Sequence, residues 1–182
     1  MTGATLKRTP LYNTHLASGA RLVSFGGWEM PVHYGGIVDE HQAVRTRAGI
    51  FDVSHMGEFE FSGTGAAALL QYLCCNDLKK LAVGRAQYSM FLNAAGGTVD
   101  DVMIYRTEST RYLVVVNASN AEKDWSHVQD ASVGFEDVDV INKSEELSLL
   151  AFQGPETRRL LNELSDSNLE DLPFRAVMWT RI

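Results

Sequence analysis

The chain has 182 residues, 45% of them hydrophobic and 21% charged, a globular composition long enough for one substantial core or two small ones. Sixteen Lys and Arg against 23 Asp and Glu leave a formal charge of -7, which argues against nucleic acid and anionic membrane as main partners. No apolar run is long enough to cross a bilayer and residues 1–9 lack a signal-peptide apolar region, so the expected location is cytoplasmic.

Residues 1–9 read as a loose arm. A short segment at 11–16 leads into a strand at LVSF, and Gly26-Gly27 lets the backbone turn sharply beside Trp28. Met30-Pro31-Val32 is held extended by the proline. Gly36 opens a helix over IVDEHQAVRTRA, with Ile37, His41 and Val44 on one stripe and Gly49 as its stop. His41 on that stripe reads as a core or boundary histidine. IFDVS is a short strand, and EFEFS is a half-buried one with Phe59 and Phe61 inward. A helix from Gly65 to Cys75 packs Leu69, Leu70, Tyr72 and Leu73. Cys74 and Cys75 are adjacent, so they form no disulfide framework and read as small apolar residues.

Gln87 to Asn120 is the stretch around which the chain is organised. It reads as a strand (QYSMFLN), a turn (AAGG), a strand (TVDDVMIYR), a polar link (TESTR) and a strand (YLVVVN). Both links favour antiparallel hairpins. The middle strand carries Asp100 and Asp101 inside an apolar run. Alternation puts Val99, Asp101, Met103 and Tyr105 on one face, and Asp100, Val102, Ile104 and Arg106 on the other. A hairpin symmetric about Ser109 would set Tyr105 against Leu113, Met103 against Val115 and Asp101 against Asn117. A carboxylate would then meet an amide across the strands. Taken alone, two adjacent aspartates read first as solvated strand-end residues.

Ser119 or Asn120 is expected to cap a helix over AEKDWSHVQDA, with Trp125 and Val128 inward. Val138 to Ile141 and LSLLAFQG follow as strands, and Pro155 sits at the first turn of a helix over ETRRLLNEL. LPFRAVMWTRI begins another extended segment. The five histidines and two cysteines show no metal-ligand spacing, and there is no P-loop, Rossmann fingerprint or G-x-S-x-G elbow. No metal is expected. Ser54 and His55 alternate to opposite sides of a strand and make no nucleophile-base pair.

RTPLY at 8–12, GGWEMPVHY at 26–34, EHQAVRTRAGIFDVSHMGE at 40–58, NAAGGTVDDVMIYR at 93–106 and VVNASN at 115–120 occur in that order. Together they resemble the aminomethyltransferase family, the T-protein of the glycine cleavage system, from about Arg8 to the last residue. The resemblance implies an α+β fold of antiparallel sheets and flanking helices that binds tetrahydrofolate, with the C-terminal part missing. Residues 1 to about 48 and about 139 to 182 would belong to one lobe and the segment between to another, with a folate channel between them. It implies release of ammonia from the aminomethyl group on the lipoyl arm of H-protein, and transfer of the one-carbon unit to tetrahydrofolate as 5,10-methylenetetrahydrofolate. The second aspartate of the family's G-G-x-x-D-D pattern falls on Asp101, the expected catalytic acid. The folate contacts that carry over are Met56, Tyr88, Met103, Tyr105, Val115 and Asn117, although relatives often have a smaller aliphatic residue where Met103 stands.

Two alternatives share these features: a folate-dependent demethylase domain of the sarcosine or dimethylglycine dehydrogenase type, and a non-catalytic folate-binding relative that supports iron-sulfur enzymes. Family members continue past this sequence into a G-Y-T-G-E segment, a pterin-gripping glutamate, an arginine and a C-terminal barrel. The apolar AVMWTRI ending therefore reads as that of a fragment, a truncated gene product or one half of a split protein, with little folate binding and negligible methylene transfer of its own expected.

Overall fold

The computed structural model describes residues 5–182, so residues 1–4 of the expected arm lie outside the described residues. Residues 5–9 are not loose. Lys7 bridges to Trp28, Lys7 N donates to Gly27 O at 2.9 Å, and Thr9 is 4% exposed. The apolar Trp28 turn gives this segment a backbone partner that its own composition does not announce.

The chain divides into two compact units, one of 1–55, 148–172 and 180–182, the other of 56–147 and 173–179. In the first, helix α1 (Tyr12–Ala17) precedes a hairpin of β1 (Arg21–Phe25) and β2 (Trp28–His33). The connecting glycines adopt φ of 56° and 85°, which residues with a Cβ rarely adopt, and so allow the tight turn. Helix α2 (Ile37–Thr46) follows. Its His41 is exposed, so the stripe that suggested a boundary position does not cover it. Strand β3 (Gly49–Asp52) pairs antiparallel with β9 (Leu150–Gln153), and α5 (Thr157–Leu164) comes after it. The segment after α5 makes one bridge, Arg85 to Ala176, and no strand.

The second unit is a five-stranded antiparallel sheet, in the order β5 (Arg85–Leu92), β6 (Thr98–Glu108), β7 (Arg111–Val116), β4 (Gly57–Ser62) and β8 (Asp139–Asn142). Helices α3 (Ala66–Leu73) and α4 (Ala121–Ser132) contribute to the core on one side of it. That core holds Phe59, Phe61, Leu69, Leu70, Leu73, Phe91, Val102, Ile104, Val114 and Val128, all at most 1% exposed. Burying each such side chain contributes about 1.5–3 kcal/mol, which fixes the strands' facing. Tyr72 is exposed rather than packed inward, its ring resting near Phe135 at the helix surface. Cys74 is buried and Cys75 exposed, and both are free; burial pushes the Cys74 thiol up to about 12.

Strand β6 carries the one departure from simple alternation that bears on the site. Phe91 faces Asp100 while Leu92 faces Thr98, so Val99 is an extra residue in the ladder. A bulge of this kind lets two successive residues turn the same way. Val99 packs against the core on the side of Asp100, not on the side of Asp101. From Asp100 onward the alternation holds: Asp100, Val102 and Ile104 are buried, while Asp101 is exposed and Met103 and Tyr105 half-buried.

Candidate active site

Parity and register gather the candidate residues on the sheet face opposite the apolar core. Tyr88 pairs with Met103, Met103 with Val115, and Val115 with Glu58, a row crossing four strands. Ala86, Tyr105, Leu113 and Glu60 form the next row. On the other side Met90 pairs with Asp101. Tyr105 against Leu113 and Met103 against Val115 is the register a hairpin centred on Ser109 requires, with a two-residue turn at 109–110 where the sequence suggested a five-residue link. Val115 is buried yet lies outside the main core cluster, as its position on this face demands. Met56, half-buried, lies just before β4.

Asp101 is held by two side chains. The Tyr88 hydroxyl donates to Oδ2 at 2.8 Å, and the Asn117 amide Nδ2 lies 3.1 Å from Oδ1. Each carboxylate oxygen keeps a further lone pair for a ligand. The hydrogen bond to Asp101 holds the Tyr88 phenol above its ordinary range, and burial does the same for Tyr105. Tyr88 is 45% exposed, so its hydroxyl orients the carboxylate without sealing it from solvent.

Beneath Asp101, Asp100 points inward at 5% exposure. It accepts from Asn117 N at 3.0 Å, Asn117 Nδ2 at 3.0 Å and Asn120 Nδ2 at 2.7 Å. Burial works to raise Asp100, but hydrogen bonds from Asp124, Asn117 and Asn120 outweigh it and leave the group below its ordinary value. Asn120 occupies the N-cap position of α4, yet its side chain serves Asp100 and makes no cap bond. The capping expected there is absent because a buried carboxylate competes for the same amide.

Three groups of this unit escaped sequence reasoning. Asp124, on α4, is fully buried; Glu58 is 1% exposed with neither oxygen meeting a donor; Met90 flanks Asp101. The helical spacing of Asp124, one residue before Trp125 and four before Val128, was the available signal. For Glu58 the signal was its alternation with Phe59 and Phe61, but only the register with Val115 shows what that face carries.

The first unit holds a separate cleft of about 790 Å³, lined among others by Tyr34, Ile37, His41, Val44 and Phe51. Two of its lining residues, Asp52 and Tyr34, bond to His15: His15 Nε2 lies 2.8 Å from Asp52 Oδ2, and the Tyr34 hydroxyl lies 2.9 Å from His15 Nδ1. None of the seven candidate residues lies there. Among the described residues no group of three or more His, Cys, Asp or Glu could hold a metal ion, and no helix is long and apolar enough to cross a membrane.

Comparison with known proteins gives this arrangement its family. Residues 11–182 match the family described as the GCVT N-terminal domain, and the chain belongs to it. The aminomethyltransferase of Deinococcus deserti is 54% identical over 164 residues, covering 90% of this chain and 46% of the relative. That of Symbiobacterium thermophilum is 51% identical over 163 residues, covering 88% and 44%. The crystal structure of glycine cleavage system aminomethyltransferase T from Bartonella henselae matches with a TM-score of 0.82 at 36% identity, covering 87% of this chain and 44% of that one. The α+β fold of antiparallel sheets and helices is thus the one the sequence resemblance implied. The chain spans less than half the length of these relatives.

Proposed function

We propose that this chain supplies the carboxylate-bearing part of a tetrahydrofolate-dependent aminomethyltransferase of the glycine cleavage system, acting in the cytoplasm. The observation that carries the reading is Asp101, an exposed carboxylate gripped by Tyr88 and Asn117 beside the row of Met103 and Val115. Reduced folate brings a flat heterocycle with N–H groups. The apolar row and Tyr105 offer it surface, and Asp101 offers an acceptor. Met56, Tyr88, Met103, Tyr105, Val115 and Asn117 are the proposed contacts.

In the proposed reaction the carbon of the aminomethyl group on the lipoyl arm of H-protein exchanges its bonds to sulfur and nitrogen for bonds to two nitrogens of tetrahydrofolate, giving 5,10-methylenetetrahydrofolate. The two folate N–H protons end on the departing lipoyl thiol and on the released ammonia. Positive charge grows on that carbon as the amine departs, and the Asp101 carboxylate stabilises it. The same carboxylate accepts a hydrogen bond from the attacking amine and can take up its proton. Tyr88 and Asn117 keep the group aimed throughout, so little reorganisation is needed as the charge develops.

The test mixes residues 1–182 with the remaining half of a relative and assays methylene transfer from loaded H-protein. Asp101→Asn should lower turnover by about 10²–10³-fold while folate affinity changes by only a few fold. Lost folate affinity with unchanged turnover at saturating folate would reject the assignment.

A further inference from the structure

Asp124 is the one fully buried charged side chain of α4, and neither of its oxygens meets an N–H or O–H donor from the protein. What faces it is another carboxyl, Asp100. Two bare carboxylates in one buried place repel strongly, whereas a carboxyl facing a carboxylate can hydrogen-bond through a single proton. Asp100 already accepts from three N–H groups, so it is the member suited to carry the charge. Asp124 has no such donors and is the member suited to hold the proton.

We propose that Asp124 and Asp100 form a proton-sharing carboxyl pair beneath β6, and that this pair, acting through the Asn117 carboxamide, fixes the orientation of Asp101. The coupling runs through one nitrogen. Asn117 Nδ2 lies 3.0 Å from Asp100 Oδ1, 3.1 Å from Asp101 Oδ1 and 3.1 Å from Asp101 O. Its two hydrogens serve three acceptors, so the direction Asp100 imposes on the amide decides what Asp101 receives. Asp124 is therefore a positioning residue. Its consequence for catalysis rests on the reading of Asp101 given above; the pair itself does not.

Burial and the facing Asp100 push the Asp124 carboxyl up to about 8. Lys123 opposes the shift, but its Nζ is engaged by Val99 O at 2.6 Å. Further along α4, His127 is within 3.1 Å of Leu92 O. From β6 the other nearby charge is Asp101, on the opposite face of the strand. The buried residues of α3, which packs on α4, are all apolar, and Asp139 of β8 is exposed. When the pair loses its shared proton, two charges face each other. Asp100 must then turn or separate, and Asn117 moves with it.

The test is a carbon-detected NMR titration of the 182-residue chain that follows aspartate carboxyls and the Asn117 side-chain amide. One carboxyl, absent from Asp124→Asn, should titrate with a midpoint near 8. The Asn117 amide and the Asp101 carboxyl should shift with the same midpoint, which belongs to the pair. In Asp124→Asn the new amide can donate to Asp100 at every pH, so that step should vanish and both groups keep their low-pH wild-type positions. No aspartate carboxyl titrating above about pH 6 would overturn the pair, since an ordinary aspartate titrates near 3.9 and the raised Glu58 is a glutamate, absent from the aspartate signals. A high titration that Asn117 and Asp101 do not sense would overturn the positioning role. The wild-type titration stands even where a variant does not fold. No folate is present, so failure of the folate reading and failure of this one are distinguishable.

Discussion

At Glu58 a carboxyl sits on the sheet face at 1% exposure with no donor for either oxygen, and burial pushes it up to about 7. An acid whose folded value is raised binds more protons folded than unfolded. It therefore lowers stability as pH rises from its unfolded value, 4.5, through the folded one. Glu58→Gln removes that ionisation. The variant should be more stable than wild type by about 3 kcal/mol at pH 8 and close to equal at pH 4.5. Urea unfolding at the two pH values reads the difference; a gain that does not grow with pH would show that Glu58 finds a partner. Tyr88→Phe is the complementary change at Asp101. It deletes a donor from an exposed ring, so the melting temperature should hold while methylene transfer in the reconstituted assay falls about 3- to 10-fold. Wild-type turnover would mean that the phenol does not orient the carboxylate.

Strand β6 and helix α4 show how one element's detail sets another's role. The bulge at Val99 turns two successive residues toward the core and hands Asp101 to the open face. Asp100, on the inner side, then draws the amides of Asn117 and Asn120, tying the end of β7 to the start of α4. Asp100→Asn places an NH2 group among those donors. It should cost about 2–4 kcal/mol in thermal or urea unfolding, far more than Asp101→Asn on the exposed face. Equal losses for the two would contradict the inward and outward assignments. Much of this was legible beforehand: the period-two pattern after Asp100 set the faces of Val102, Met103, Ile104 and Tyr105. The bulge was not, because V-D-D fits regular alternation, and only pairing with Phe91 and Leu92 exposes the extra residue. The sequence left the N-cap of α4 between Ser119 and Asn120; the structure puts Asn120 there, and local rules do not reveal that its side chain is engaged elsewhere.

At the scale of the whole molecule, the chain covers 46% of the Deinococcus deserti relative and 44% of the Bartonella henselae structure. The second unit carries all seven candidate residues, from Met56 to Asn117. A ligand lying on one sheet face alone gains less apolar burial than one enclosed on all sides. Residues 1–182 by themselves should therefore bind tetrahydrofolate weakly and transfer negligible methylene from loaded H-protein, and adding the relative's remaining half should restore both. Calorimetry and the transfer assay check this; full activity of the isolated chain would refute it.

The sequence by itself determined the strands of the organising stretch, the facing of Asp101 and Asp100, and the family. Those follow from alternation, turn residues and ordered motifs, which are local or read directly along the chain. Tertiary structure decided that β8 joins β4, that β3 pairs with β9 across nearly a hundred residues, and that Glu58 lies in register with Val115. It also decided that Asp124 meets Asp100. Such pairings depend on which apolar faces close on one another, and a helix periodicity of 3.6 can place an aspartate on the inner stripe without naming the carboxylate it will find there.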